Sequence, residues 1–386
     1  MPHLDDDRWT WLIATRAEQP RRPLEKLMAR RRRPLLRDGR LFIVAADHTA
    51  RGALGVPGDP FAMADRRRLL EALLTALANP EVDGVLASAD IAEDLSMLDA
   101  LDDRLVFGTM NRGGIIGAQW ELDDRMTAYS AATIASHGLD GGKVLLRIAD
   151  DDHGTARTLE ACARAVDECA ALGLPIMVEP LPYHHDPVSG RATLLADEDA
   201  LLRAVAIGSG LGSSTTSTWL KVPASSNPQR MLSCTTLPAL ILGGTPGPDP
   251  DATFASWEAA MQVPNVRGLV VGRALLYPSD GDVAAAIARA VLTVPPVAAT
   301  SRPRNASRAR PASVATRVAC RAISARVLSG RGRAGSATKR SVRRTQPRGR
   351  LRARRTSAPR NSSTSRLPPP RSNSARSGAA ASAGSS

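Results

Sequence analysis

The sequence predicts an α/β protein: a (β/α)8 TIM barrel with an N-terminal helical extension and a disordered basic C-terminal tail. Eight short apolar, β-branched runs alternate with amphipathic helical stretches, the pattern of right-handed βαβ units around a parallel sheet. The alternation occupies roughly 250 residues, the size of such a barrel. Unusual polar residues follow the runs directly, where barrels of this class carry function. An open doubly wound sheet is the competing architecture, but no Gly-x-Gly-x-x-Gly turn follows the first run.

In chain order, Arg8–Arg33 reads as the helical extension and closes on a basic run, Arg30–Arg33, expected either to cap the barrel floor or to be solvated. The strand-like runs are Leu41–Ala46, Asp83–Ser88, Arg104–Thr109, Lys143–Ala149, Leu174–Glu179, Thr218–Val222, Pro238–Gly244 and Arg267–Gly272. Between them, helical periodicity marks Asp65–Ala78, Asp123–His137, Thr155–Leu172, Glu198–Gly208, Asp251–Gln262 and Asp282–Leu292. The expected division is residues 1–37 for the extension, 38–295 for the barrel and 296–386 for the tail.

Composition sets the tail apart. The 386 residues hold 51 Lys+Arg against 38 Asp+Glu, a formal net charge of +13. Residues 301–386 contain 22 of those cations and no acid, so the remainder has 29 cations, 38 carboxylates and a net charge of −9. All twelve aromatic residues precede position 300, which leaves the tail unable to bury a core. Its charge invites a nucleic-acid reading, but sequence-tolerant single-strand binding uses aromatic stacking that the tail lacks. Arg, Ser, Ala, Pro and Gly in this mixture fit a GC-rich gene read out of frame. Four scattered cysteines make no disulfide framework. Met1 to Thr10 is mostly polar and acidic, and no apolar run approaches a membrane span, so a cytoplasmic setting is expected.

The chemistry centres on Lys221. Only four of the 51 cations are lysines, and Lys221 sits in Trp219-Leu220-Lys221-Val222-Pro223 at a strand end. An amine forms an imine with a carbonyl and a guanidinium does not. Lys26, Lys143 and Lys339 fall in the extension, at the start of a strand and in the tail, positions that do not suggest catalysis. The plain structural alternative for Lys221 is a side chain reaching to solvent from a strand end. Asp47, Glu179 and Tyr183 follow other strands and are candidates for moving a substrate hydroxyl proton. Gly243-Gly244 and Gly272-Arg273 end the last two strands, where backbone N–H groups and an arginine can hold a phosphate. Arg147, if inward-facing, adds a cation that lowers the lysine pKa, and Ser225 follows Lys221 closely. A rival chemistry would assemble His48, His153, His184 and His185 with Asp150–Asp152 and Asp186 around a metal, although no tight ligand spacing is present. A third reading is a non-catalytic barrel that binds a phosphorylated ligand.

These strand ends resemble the barrel-type class I (Schiff-base) aldolases, including archaeal-type fructose-bisphosphate aldolases and, more distantly, deoxyribose-phosphate and tagatose-bisphosphate aldolases. Ala45-Ala46-Asp47-His48, Leu220-Lys221-Val222, Leu242-Gly243-Gly244 and Val271-Gly272-Arg273 carry the likeness in order over about residues 38–293. The resemblance implies an aldehyde-lyase that needs no cofactor or metal, with Lys221 forming the imine, Tyr183 or Glu179 transferring the proton, and Asp47 contacting substrate. The closest likeness, to aldolase-like proteins encoded with actinobacterial inositol-breakdown genes, implies a deoxy-keto-gluconate phosphate and a homo-oligomer of the kind common among such barrels. Two departures stand out: Thr49 replaces the family glycine after Asp-His, and Tyr183 lies farther beyond its strand than the family pattern places it.

Overall fold

The computed structural model describes residues 4–244, 246–247 and 249–294. The expected tail at 296–386 lies outside the described residues. Eight parallel strands close into a barrel: β1 (Leu41–Ala45), β2 (Gly84–Ala87), β3 (Leu105–Thr109), β4 (Gly141–Ile148), β5 (Ile176–His185), β7 (Thr218–Pro223), β8 (Ala239–Leu242) and β9 (Val266–Val271). A β1–β9 pairing and a β4–β5 pairing complete the ring. This is the expected TIM barrel.

All eight expected runs form strands, shifted at their ends by a residue or two except where β5 runs on to His185. The extra length of β5 forms a hairpin with the short β6 (Ala192–Leu194), which pairs Tyr183 with Leu194. Sequence periodicity had not separated this ninth strand, because three residues make no alternation to detect.

The helices largely follow expectation: α3 (Arg66–Ala78), α6 (Gly154–Ala171), α7 (Glu198–Ser209), α9 (Pro250–Met261) and α11 (Val283–Leu292), each within a residue or two of its predicted span. Helix α4 (Ala89–Met97) was not anticipated, and it buries Ile91, Ala92 and Leu95 immediately after β2. The predicted helix at Asp123–His137 shrinks to α5 (Ala131–Ser136). A capping box formed by Ser130 and Thr133 starts that helix late. Asp124 is meanwhile drawn into a buried ion pair with Arg51, which holds the preceding segment as a loop. Short helices α8 (Pro228–Met231) and α10 (Arg273–Leu276) complete the outer ring.

The N-terminal extension forms α1 (Asp6–Glu18) and α2 (Arg22–Ala29). Its basic run caps the floor: buried Arg30 pairs with Asp140 at 2.6 Å, and buried Arg33 pairs with Asp83. Those aspartates stand immediately before β4 and β2, where Asp140 accepts from the Val106 N–H and Asp83 from the Phe42 N–H. The clamp thus ties the entry ends of four strands together.

Two cores hold the barrel. One lies between strands and helices, and the other fills the interior with Leu41, Ile43, Ala45, Leu86, Leu105, Phe107, Met177, Leu240 and Val270. Because side chains alternate along a strand, Leu41, Ile43 and Ala45 put Asp47 next on the inner face, and Met177 does the same for Glu179. This parity aims the polar residues beyond the packed layers into the mouth. Among the described residues no helix is long and apolar enough to cross a membrane.

Candidate active site at the barrel mouth

A cavity of about 360 Å³ opens at the C-terminal ends of the strands. Asp47 and His48 after β1, Arg112 after β3, Lys143 and Leu145 on β4, Glu179, Leu181 and Tyr183 on β5, and Lys221 on β7 line it. Gly243 and Gly244 after β8 and Gly272 and Arg273 after β9 line it as well. Eight of the ten sequence-derived site residues therefore meet in one cavity.

Arg147 and Ser225 are not among its lining residues. Arg147 stands behind the wall. It pairs with Glu121 at 2.5 Å, donates to the Gly114 carbonyl at 3.1 Å and lies 5.8 Å from the Tyr183 ring centroid. Its charge is thereby spent on fixing the loop after β3 and backing Tyr183.

The centre is a chain of buried charges. Lys221 Nζ donates to Glu179 Oε1, while Lys143 Nζ meets the other oxygen, Glu179 Oε2. Lys143 also stands 3.5 Å from Asp47 Oδ2, which is paired with Arg112. All five side chains are under a tenth exposed. Burial lowers both amines, Lys143 the more strongly, with Glu179 opposing the shift in each. Burial alone would raise the Glu179 carboxyl, but the two lysines outweigh it and hold it well below the carboxylate range. Burial also lowers Arg112 to about 10.

Lys143 is the residue that sequence reasoning passed over, because it opens the predicted fourth strand. The barrel's stagger moves it: Lys143 is the third residue of β4, yet it pairs with Thr109, the last residue of β3. It is therefore level with the mouth. The available signal was parity, since Lys143, Leu145 and Arg147 share one face of the strand.

At the ends of β8 and β9, Gly244 has φ +62°, a backbone state favouring glycine. A Cβ on Gly272 would come 2.3 Å from the Ala45 carbonyl oxygen and 2.7 Å from His48 Cε1, so β1 and β9 approach too closely there for any side chain. Arg273 donates to the Gly55 carbonyl at 3.3 Å, and its buried Nε has no partner. Burial, then Arg273, Lys221 and Lys143, push His48 well below its usual value, so its imidazole is neutral. Burial raises the Tyr183 phenol, which is therefore neutral as well.

The histidines do not converge. His48 lines the cavity, whereas His185 pairs with Asp152 at 2.8 Å on the β5–β6 hairpin. Among the described residues no group of three or more His, Cys, Asp or Glu side chains is placed to hold a metal ion.

Residues 39–291 match the Cgl0159-like family. The chain belongs to that family. It is similar to the Cgl0159 protein of Corynebacterium glutamicum at 49% identity and a TM-score of 0.73, covering 75% of this chain and 97% of that one. An archaeal fructose 1,6-bisphosphate aldolase, solved with its catalytic lysine bound to a carbinolamine intermediate, is 18% identical with a TM-score of 0.51, over 70% of this chain and 99% of that one. The fructose-bisphosphate aldolase of Slackia heliotrinireducens is 14% identical at the same TM-score, over 76% and 89%. The latter two show a shared aldolase-type fold. No curated protein matches the chain.

Proposed function

We propose that this Cgl0159-like barrel is a class I aldolase-type carbon–carbon lyase acting on a phosphorylated sugar or keto acid through a Lys221 Schiff base. A deoxy-keto-gluconate phosphate of inositol breakdown is one member of that class. The observation carrying the proposal is the buried Lys221–Glu179–Lys143 chain at the barrel mouth. Burial favours a neutral amine, the nucleophilic form, and Glu179 bridges two amines so that a proton leaving Lys221 has an adjacent acceptor in Lys143.

The neutral Lys221 amine adds to the substrate carbonyl. Loss of the oxygen as water leaves an iminium with the charge of the original ammonium. The iminium then accepts the electron pair of the neighbouring C–C bond as a base removes the β-hydroxyl proton. An aldehyde departs and an enamine remains, which is protonated on carbon and hydrolysed to free the lysine. Glu179 is the candidate base because its carboxylate contacts Lys221 Nζ directly, next to where the imine forms. Tyr183 and Asp47, with Arg112, border the same space and orient hydroxyls. Gly243, Gly244, Gly272 and Arg273 at the ends of β8 and β9 hold the phosphate.

A second reading makes Lys143 the imine former, favoured by the stronger lowering of its amine. Against it, Lys143 faces two carboxylates and Lys221 only one, and Lys221 stands on the strand next to β8. Reduction with borohydride during turnover tests the imine. The expected result is irreversible inactivation and a mass gain equal to the carbonyl compound less one oxygen; full activity after reduction in the presence of every cleavable substrate would end the Schiff-base reading.

A further inference from the structure

The β5–β6 hairpin is fastened to the barrel by a histidine that the proposed chemistry does not use. β5 keeps its β7 partner only to Val178 and its β4 partner to Pro182, so from Tyr183 onward it leaves the barrel wall and runs out with β6. None of residues 183–195 is fully buried, and Leu194, which lines the cavity opposite Tyr183 in the hairpin, is 42% exposed. A two-stranded ribbon with so little apolar cover is marginal in water by itself. Arg147 backs the Tyr183 ring, and the fastening farther along the hairpin is polar.

His185 makes that fastening. Its Nε2 lies 2.8 Å from Asp152 Oδ2, its Nδ1 lies 3.2 Å from the Gly190 carbonyl oxygen, and its backbone N–H donates to Asp151 Oδ2 at 3.3 Å. Asp152 is itself fixed, its Oδ1 accepting from the Gly154 N–H at 2.6 Å where α6 starts. Both ring nitrogens therefore face oxygens that only accept. A neutral imidazole has one N–H and satisfies one of them, whereas the imidazolium satisfies both. The hydrogen bond to Asp152 accordingly raises the His185 pKa above its ordinary value. The other ionisable groups on the segments that meet here are Asp150, which pairs with Arg203 of α7 at 2.9 Å, His153 and, on the hairpin, His184, Asp186 and Arg191.

We propose that protonated His185 is a positioning residue: it holds the β5–β6 hairpin down over the barrel mouth, sets Tyr183 against the substrate, and releases the hairpin when it loses its proton. The role of Tyr183 is that of the Schiff-base reading, on which this positioning rests. Because the folded pKa is raised, the fastening is complete below about pH 6.5 and is lost as pH rises through the higher folded value.

Asp152→Asn separates this role from a merely structural one. The amide keeps its oxygen on the Gly154 N–H and turns an N–H toward His185, so a neutral ring accepts at Nε2 while its Nδ1–H still donates to Gly190. The pH sense of the fastening then inverts. Trypsin cleavage after Arg191 in the full chain, located by mass spectrometry and divided at each pH by cleavage of a free peptide of residues 183–195, reads the hairpin directly. Between about pH 6 and about pH 8.5 the parent rate is expected to rise about tenfold, the weight of one charge-assisted hydrogen bond, and the Asp152→Asn rate to fall about threefold. A parent rate that does not change with pH, or a rise of the same size in both proteins, overturns the proposal. The site is read by reductive trapping with a panel of phosphorylated ketoses and keto acids, where the ratio of parent to variant cancels the lysine titration that both share. Half-maximal labelling is expected at the lower concentration for the parent at the acid end and for Asp152→Asn at the alkaline end. A ratio constant with pH, alongside the expected cleavage, would show that the hairpin moves without placing Tyr183 and would overturn the positioning role while leaving the imine chemistry standing. No labelling by any member of the panel overturns the Schiff-base reading and the positioning role with it, and the cleavage series still decides the fastening.

Discussion

At the scale of single residues, one carboxylate shared by two buried amines governs the site. Removing the Glu179 charge takes away what favours the ammonium of Lys221, so Glu179→Gln is expected to move the acidic limb of the kcat/KM profile to lower pH. The same variant loses the proposed base, and kcat is expected to fall by about 10²–10⁴-fold. Lys143→Met acts in the opposite sense, because Glu179 then serves Lys221 alone and the limb moves to higher pH. A pH-rate series over the three proteins checks both directions; limbs that coincide would show that Glu179 does not set the protonation of the reacting amine. Lys221 was legible in the sequence from the rarity of lysine and its place at a strand end. Lys143 was not, because its importance depends on the stagger between β3 and β4, and a strand read by itself has no height in the barrel.

Among the elements, close approach and buried pairing set what the loops tolerate. Gly272→Ala places a methyl group against the Ala45 carbonyl and His48, forcing β1 and β9 apart. Overpacking of this kind costs about 1–3 kcal/mol, and denaturant titration is expected to show that loss together with weaker phosphate binding. Asp124 has no exposed surface and sits between Arg51, at 2.5 Å, and Arg147, at 3.5 Å. Asp124→Ala strands the buried Arg51 guanidinium, while Arg147 keeps Glu121, with an expected cost of about 3–5 kcal/mol; a loss below 1 kcal/mol by the same titration would mean the Arg51 pair is not structural. The eight strands were readable because a parallel strand buried on both faces is a continuous apolar run bounded by turn residues. The loop after β3 was not, since Asp123–His137 has helical periodicity and the buried partner that unwinds its first half, Arg51, lies more than 70 residues earlier in the chain.

At the scale of the whole molecule, the buried ionic groups tie stability to pH. His48 is held neutral, so its folded pKa lies below the ordinary value of about 6.5. The unfolded chain therefore takes up a proton first, and stability falls as pH drops below about 6.5. Glu179 is depressed in the fold, so its contribution is present above the unfolded value of about 4.3 and fades as pH falls further. Melting temperature is thus expected to decline from about pH 6.5 downward and to steepen below about 4.5, with His48→Gln flattening the first part. A His48→Gln curve parallel to the parent's would remove the histidine from this linkage. Glu179 holds the two amines together at the barrel mouth, and the imine chemistry depends on which of them reacts. The most direct test is therefore to reduce the protein with borohydride in the presence of a panel of phosphorylated ketoses and keto acids and map the modified peptide by mass spectrometry. Label confined to Lys221, and absent in Lys221→Met, is the expected result; label on Lys143 with Lys221 unmodified, or none on either lysine, would contradict it.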